Sequence, residues 1–253
     1  MSSRTDGKGD VLVVTGGSRG IGAAIVRGAA ARGYSVAFSY RDNAGAARKL
    51  AAELTETGAR VHAIRGEVAD PAFASALFDE ATETVGPVTA VVNNAGITGP
   101  LGPFRDVPAD TLRRVIDVNL LGTMQVAQEA VRRWQAAGVA GRLVNISSIA
   151  ATLGAPGEYV HYAASKAAVD AFTIGLGKEV AGSGIRVNAV APGTAYTDIH
   201  AAAGEPDRPE RVVSRVPLGR IASPEEIANA VLWLLSDDAS YVTATVLRIS
   251  GGV

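Results

Sequence analysis

Short apolar, largely β-branched runs recur along the chain at regular distances. They are VLVVT at 11–15, SVAFSY at 35–40, RVHAIRGEV at 60–68 and VTAVVNNAG at 88–96, then GRLVNISS at 141–148, IRVNAVAPG at 185–193 and ATVLRIS at 244–250. Runs this short, bounded by Gly, Pro and Asn, read as buried strands. Between them lie longer stretches with helical spacing. IGAAIVRGAAARG ends at Gly33, NAGAARKLAAELTETG stops at Gly58, and PAFASALFDEATETVG at 71–86 opens on Pro71. Residues 109–138, 159–182 and 224–236 complete the set, the last with Ser223 as N-cap and Pro224 at its first position. This alternation predicts an α/β domain with a mostly or wholly parallel sheet of about seven strands, helices on both faces and a doubly wound topology. A closed eight-stranded barrel needs a similar alternation and is the competing architecture. The opening MSSRTDGKGD reads as a disordered lead over 1–10, and 11–253 as one domain. Residues 194–222 lack periodicity and include GEPDRPE; a loop that long is more often functional than idle.

Composition narrows the function classes. The 253 residues are 47% hydrophobic, enough for a sizeable single core, and no linker, repeat or low-complexity tract divides them. The 24 basic and 25 acidic residues cancel, so no electrostatic footprint for nucleic acid or an anionic membrane is visible. Cysteine is absent, which excludes disulfides and thiolate metal sites and suits a cytoplasmic setting. The 3 histidines are scattered, so no metal is expected. No apolar run reaches the roughly 18 residues of a membrane span. The expected partner is a small molecule.

Two local patterns carry candidate chemistry. Gly16, Gly20 and Gly22 follow the first strand and open the first helix. Glycine there permits a tight turn and close backbone approach to a pyrophosphate, and the helix N-terminus offers free N–H groups to it. A plain strand-to-helix turn is the bland reading. Further on, EYVHYAASK puts Tyr162 four residues and Tyr159 seven residues before Lys166. Both pairs share a helix face. They are either ordinary helix surface or a lysine tuning a tyrosine for proton transfer.

Taken together, Thr15-Gly16-x-x-x-Gly20-Ile21-Gly22, NNAG at 93–96, Asn119, Ser148, Tyr162-x-x-x-Lys166 and Pro192-Gly193 resemble the short-chain dehydrogenase/reductase family in order and spacing, across residues 11–252. The nearest look is to bacterial 3-oxoacyl-carrier-protein reductases and to sugar or polyol dehydrogenases. The resemblance implies a Rossmann fold and hydride transfer between a nicotinamide cofactor and a carbonyl or secondary alcohol. It implies cofactor contacts from Gly16, Ser18, Arg19, Gly20, Ile21 and Gly22, then Ser39, Tyr40 and Arg41, then Glu67 and Val68 near adenine. Asn94, Ala95, Gly96, Tyr162, Lys166, Pro192, Gly193, Thr194 and Thr197 complete that set. It also implies Ser148, Tyr162, Lys166 and Asn119 as the catalytic group, and a homo-oligomer, a tetramer, built on the helices of 109–138 and 159–182. Departures are Glu67-Val68 where the family has Asp-Val, and Ala244 and Ser250 where it has glycine and aspartate. Between Ser148 and Tyr162 there is one residue more than in the acyl-carrier reductases.

The second strand ends Ser39-Tyr40-Arg41, with no acid before Asp42, and Arg19 stands in the glycine loop. An acid at the strand end would hold the ribose hydroxyls of NAD, whereas guanidinium groups suit a 2′-phosphate, so NADP (NADPH) is expected over NAD. A phenol titrates near pH 10, and a nearby ammonium lowers that value, so Lys166 is expected to bring Tyr162 toward neutrality. Ser148 would bind the substrate oxygen, and Asn119 would hold water in a proton relay. Tyr159 as the acid of an enoyl-type reductase, and a cofactor-binding regulator without turnover, are the alternatives. Residues 194–215 are expected to form a lid, with Ile199 and His200 facing substrate.

Overall fold

The computed structural model describes residues 7 and 9–253. In chain order its elements are β1 (Val11–Val14), α1 (Gly20–Ala31), β2 (Ser35–Tyr40), α2 (Ala44–Glu56), β3 (Val61–Arg65), α3 (Phe73–Val85), β4 (Ala90–Asn93), α4 (Ala109–Ile116) and α5 (Gly122–Ala137). They continue with β5 (Arg142–Ile146), α6 (Ala150–Leu153), α7 (Val160–Val180), β6 (Arg186–Pro192), α8 (Ile199–Ala202), α9 (Arg208–Val212), α10 (Pro224–Leu235) and β7 (Val246–Ile249). Seven strands pair in the order β3-β2-β1-β4-β5-β6-β7, all parallel. The chain leaves the β3 edge and re-enters beside β1. The order therefore reverses between β1 and β4, where a doubly wound sheet opens its ligand crevice at the carboxyl ends.

Strand alternation divides the core into two layers. Leu12, Val14 and Phe38 pack with Ile25, Ile227 and Leu232 on the α1/α10 face. Val11, Val13 and Val91 pack with Leu77, Phe78 and Trp134 on the α3/α5 face. Trp134 is buried and donates its indole N–H to the Val88 carbonyl at 2.7 Å. Ser223 caps α10 as expected, and Glu226 returns the bond to the Ser223 N–H at 2.9 Å.

Two expectations are corrected, and a third falls mainly outside the described residues. The helix foreseen over 109–138 is interrupted by a π turn at Asp117–Leu121, where the Gly122 N–H reaches back to Asp117. That extra residue per turn carries Asn119 into the interior, at 0% exposure. The segment after β6 is partly helical, with α8, α9 and a 3-10 turn at Val213–Arg215, and is tied at its root by pairing between Ala195 and Ala222. The disordered lead expected over 1–10 falls mainly outside the described residues. Where it is described it is packed: Gly7 donates to the Arg32 carbonyl at 3.2 Å, and Asp10 pairs with Arg142 at 2.5 Å.

Candidate active site

The loops following β1, β2 and β4 are bound into one frame. Thr15 Oγ1 accepts from the Asn94 and Ala95 N–H groups at 3.0 and 3.1 Å. Asn94 Nδ2 donates back to the Thr15 and Gly16 carbonyls at 3.0 and 2.9 Å. Ser39 takes the Gly16 N–H on its hydroxyl at 3.2 Å and the Gly17 N–H on its carbonyl at 2.9 Å. Gly16 sits at φ 65°, in the left-handed region. A Cβ on Gly22 would lie 2.3 Å from the Gly16 carbonyl oxygen and 2.6 Å from Asn94 Nδ2. No side chain caps the start of α1, and its first turn holds no acid, so those N–H groups face the crevice with their positive end open.

At the outer end, β2 stops at Tyr40 and Arg41 follows. Its Nε donates to Asp42 at 2.5 Å, and its Nη1 reaches Glu67 at 3.4 Å. Arg114 also pairs with Glu67. Glu67 thus stands between two guanidinium groups, and Arg41 is already engaged by two acids rather than waiting free. Arg19 is exposed and lines the same end of the crevice.

Ser148, Tyr162 and Lys166 converge at the inner end. Ser148 follows β5, while Tyr162 and Lys166 lie on the first turns of α7, both buried. Lys166 Nζ donates to the Ile146 carbonyl at 2.8 Å and lies 5.8 Å from the centre of the Tyr162 ring. Burial pushes the Tyr162 phenol up to about 12, with a hydrogen bond to Ser148 opposing it in part. Burial also pushes Lys166 down to about 8, opposed by the charge of Asp170. Desolvation outweighs Ser148 and the Arg208 charge, so the phenol rises where the sequence led us to expect a fall.

Asn119 is tied to the neighbouring loop and to α7. Its Oδ1 accepts from the Ile97 N–H at 2.8 Å, and its Nδ2 donates to the Ile97 carbonyl at 2.8 Å and to Ser165 Oγ at 3.0 Å. These bonds use both N–H groups of the side chain and one of the two acceptor sites of Oδ1, so the side chain helps to frame the site. Its neighbourhood still reaches the crevice: a Cβ on Gly96 would lie 3.4 Å from both Asn119 Oδ1 and Lys166 Nζ.

The segment after Pro192-Gly193 roofs this end. The Thr197 methyl would lie 3.2 Å from a Cβ on Gly20, and His200 Nε2 meets the Ala195 carbonyl at 3.0 Å. Burial holds His200 below the ordinary histidine range. Sequence reasoning missed Glu158, Arg208 and Arg211, which meet above Tyr159. Their only signal was charge in a stretch otherwise read as loop. Every expected site residue except Asn119 lines one cavity of about 930 Å³. It runs from Arg41 to Tyr162 along the carboxyl ends of β1, β4, β5 and β6. Its length, its open helix N-terminus and the side-chain-free floor at Gly16 and Gly96 fit an extended dinucleotide.

The sequence profile of a family described as enoyl-(acyl carrier protein) reductase matches residues 16–253. The chain belongs to the short-chain dehydrogenase/reductase family. It is 43% identical over 244 residues to an uncharacterised oxidoreductase, YgfF, of Escherichia coli (strain K12), covering 96% of this chain and 99% of that one. It is 40% identical to the L-rhamnose 1-dehydrogenase (NAD(P)(+)) of Sphingomonas sp. (strain SKA58), covering 97% and 96%. Among solved structures, a blue fluorescent protein from a metagenomic library, in complex with NADPH, superimposes with a TM-score of 0.88 at 36% identity, covering 97% and 98%. As a short-chain dehydrogenase/reductase the chain is an NAD(P)-dependent oxidoreductase acting on small molecules. Among the described residues no helix is long and apolar enough to cross a membrane.

Proposed function

We propose that this enzyme is a cytoplasmic NADP(H)-dependent reductase of a carbonyl to a secondary alcohol, with Tyr162 as its acid/base. The observation that carries the reading is the convergence of the buried Tyr162 phenol with Ser148 and Lys166 at the closed end of a dinucleotide-sized crevice. The bound nicotinamide would supply the hydride. Ser148 and Tyr162 hold the substrate oxygen between them. A phenol pushed up to about 12 is fully protonated at neutral pH and is a ready donor to that oxygen as charge develops. The phenolate left behind in a buried site is costly, and the Lys166 ammonium beside the ring offsets it. Water exclusion by the 194–215 segment, acting as a lid, strengthens both interactions. NADPH consumption with ketoses, diketones, quinones and acyl thioesters tests the reading, and a lack of turnover with every class would favour a cofactor-binding regulator.

Preference for NADP over NAD rests on Arg19 and Arg41 at the ribose end and on Tyr40, not an acid, closing β2. A 2′-phosphate must displace Arg41 from Asp42 rather than fill an empty fork. That keeps the preference at the low end of a charge-assisted bond, about tenfold or ~1.4 kcal/mol.

A second reading, enoyl-type reduction through Tyr159, is favoured by one observation: the Tyr159 and Tyr162 rings are 5.2 Å apart, so both reach the chamber. Burial raises the Tyr159 phenol, with Arg208 opposing it. Ser148 acts on the Tyr162 phenol and is not among the groups that shift Tyr159, which supports the carbonyl reading.

The enzyme is also proposed to be a tetramer. A groove of about 710 Å³ between α5 and α7 is lined by Leu121, Met124, Phe172 and Leu176. Leu121 is 44% exposed and Ile174 37%. Leucine and isoleucine side chains left open along one pair of helices suit a helix-to-helix contact between copies.

A further inference from the structure

The most heavily bonded carboxylate at the rim of the chamber is Glu158. Arg208 Nε and Nη2 donate to its Oε2 at 3.2 and 2.7 Å, and Arg211 Nη2 donates to its Oε1 at 2.9 Å. The side chains of Glu158 and Arg208 are only 18% and 11% exposed. Burial alone would raise the Glu158 carboxyl, but the bonds from the two arginines outweigh it and hold it ionised. An ion pair this enclosed differs from a solvated surface pair, because removing one partner strands the other.

Its position links two parts of the molecule. Arg208 begins α9, inside the segment that roofs the chamber, and Nη1 extends toward Thr194 Oγ1 at 3.5 Å. Glu158 immediately precedes Tyr159. The Arg208 guanidinium lies 5.2 Å from the centre of the Tyr159 ring. That ring meets Tyr162 edge to face, at 5.2 Å between centres and 85° between planes. On the other side of Glu158, Ala155 adopts a φ of 46°, a costly conformation for a residue with a Cβ. The Glu158 and Tyr159 N–H groups both donate to the Ala155 carbonyl at 3.2 Å. The turn is thus braced so that Glu158 and Tyr159 point where they do.

We propose that Glu158 and Arg208 form a catch that couples closure of the 194–215 segment to the orientation of Tyr162, with the Tyr159 ring as the element between them. When the pair closes, the guanidinium caps one face of Tyr159 and fixes its edge against the Tyr162 ring; when it opens, Tyr159 is free to turn and Tyr162 loses its lateral support. Glu158, Arg208 and Tyr159 are positioning residues, not catalytic ones. The inference rests on the assignment of Tyr162 as acid/base.

The test uses the full-length enzyme with NADPH and a ketone substrate found by the panel. Arg208→Met and Glu158→Gln each lower kcat about tenfold, the scale of a sub-ångström misplacement of a reacting group. The double variant falls no further than either single one, since both remove the same pair. NADPH affinity by fluorescence titration stays within about twofold, and hydrogen exchange of residues 199–212 speeds up in both. Tyr159→Leu lowers kcat as much without loosening 199–212, because the ion pair remains. Tyr159→Phe, which restores the ring without its hydroxyl, recovers most of the loss. Arg208→Lys keeps the charge and serves if Arg208→Met folds poorly; it shows a smaller loss in the same direction. The inference is overturned if Arg208→Met, or Arg208→Lys in its place, and Glu158→Gln keep full kcat while Tyr162→Phe is inactive. An active Tyr162→Phe enzyme overturns the acid/base assignment itself, and the catch with it.

Discussion

Gly22→Ala puts a single methyl group where the frame of the cofactor crevice has no room. The added Cβ would stand 2.3 Å from the Gly16 carbonyl oxygen and 2.6 Å from Asn94 Nδ2, against an ordinary contact of 3.4 Å or more. Neither neighbour is a loose chain end. Asn94 Nδ2 is fixed by its bonds to the Thr15 and Gly16 carbonyls at 3.0 and 2.9 Å, and Gly16 is held in a left-handed turn. Relief requires Asn94 to withdraw and give up both bonds, each worth about 0.5–1.5 kcal/mol. Residual overpacking adds about 1–3 kcal/mol. The expected loss is roughly 2–6 kcal/mol of stability, and at about 2–4 °C per kcal/mol for a chain of this size the melting temperature falls by roughly 4–24 °C. The same displacement widens the glycine loop, so NADPH affinity falls at least about tenfold. Thermal unfolding followed by circular dichroism and a fluorescence titration of NADPH read the two effects. A variant that melts within about 2 °C of the wild type and binds NADPH within twofold would refute the claim that Gly22 closes the frame through Asn94.

The remaining expectations follow from the same site. Because burial brings Lys166 down to about 8, its ammonium is present below that pH and lost above it, so the rate of carbonyl reduction declines as pH rises through about 8; a flat profile from pH 7 to 9 contradicts a role for that charge, and Lys166→Met removes the limb. Titration with both cofactors yields about tenfold tighter binding of NADP(H), and Arg41→Ala erases the difference; equal or tighter binding of NAD(H) overturns the preference. Light scattering at micromolar concentration gives the mass of a tetramer, which Phe172→Asp reduces; a monomeric wild-type mass contradicts the α5/α7 contact.

What was legible in the sequence is what depends on local chemistry. The β-branched runs, the glycine loop and the Ser148, Tyr162 and Lys166 spacing express strand burial, turn geometry and a helix repeat, and the structure gathers the loop and these three side chains at the carboxyl ends of the strands. What was not legible depends on partners distant along the chain. Arg41 reads as a free cation until Glu67, 26 residues on, is folded beside it. Glu158 and Arg208 lie 50 residues apart, and nothing in either segment announces the other. The π turn that aims the Asn119 side chain at Ile97 has no sequence signature here. The Tyr162 phenol was expected to fall because the lysine is visible in the sequence, whereas the burial that raises it is a property of the packed chamber.

The central claim, that Tyr162 and not Tyr159 donates the proton, is tested most directly by steady-state turnover of Tyr162→Phe and Tyr159→Phe with NADPH and one reducible ketone, alongside NADPH binding to both. The account predicts that Tyr162→Phe loses turnover by about a thousandfold or more, in keeping with removal of a general acid, while its NADPH affinity is largely intact and Tyr159→Phe still turns over. An active Tyr162→Phe enzyme beside an inactive Tyr159→Phe one would contradict it and hand the chemistry to the enoyl-type arrangement.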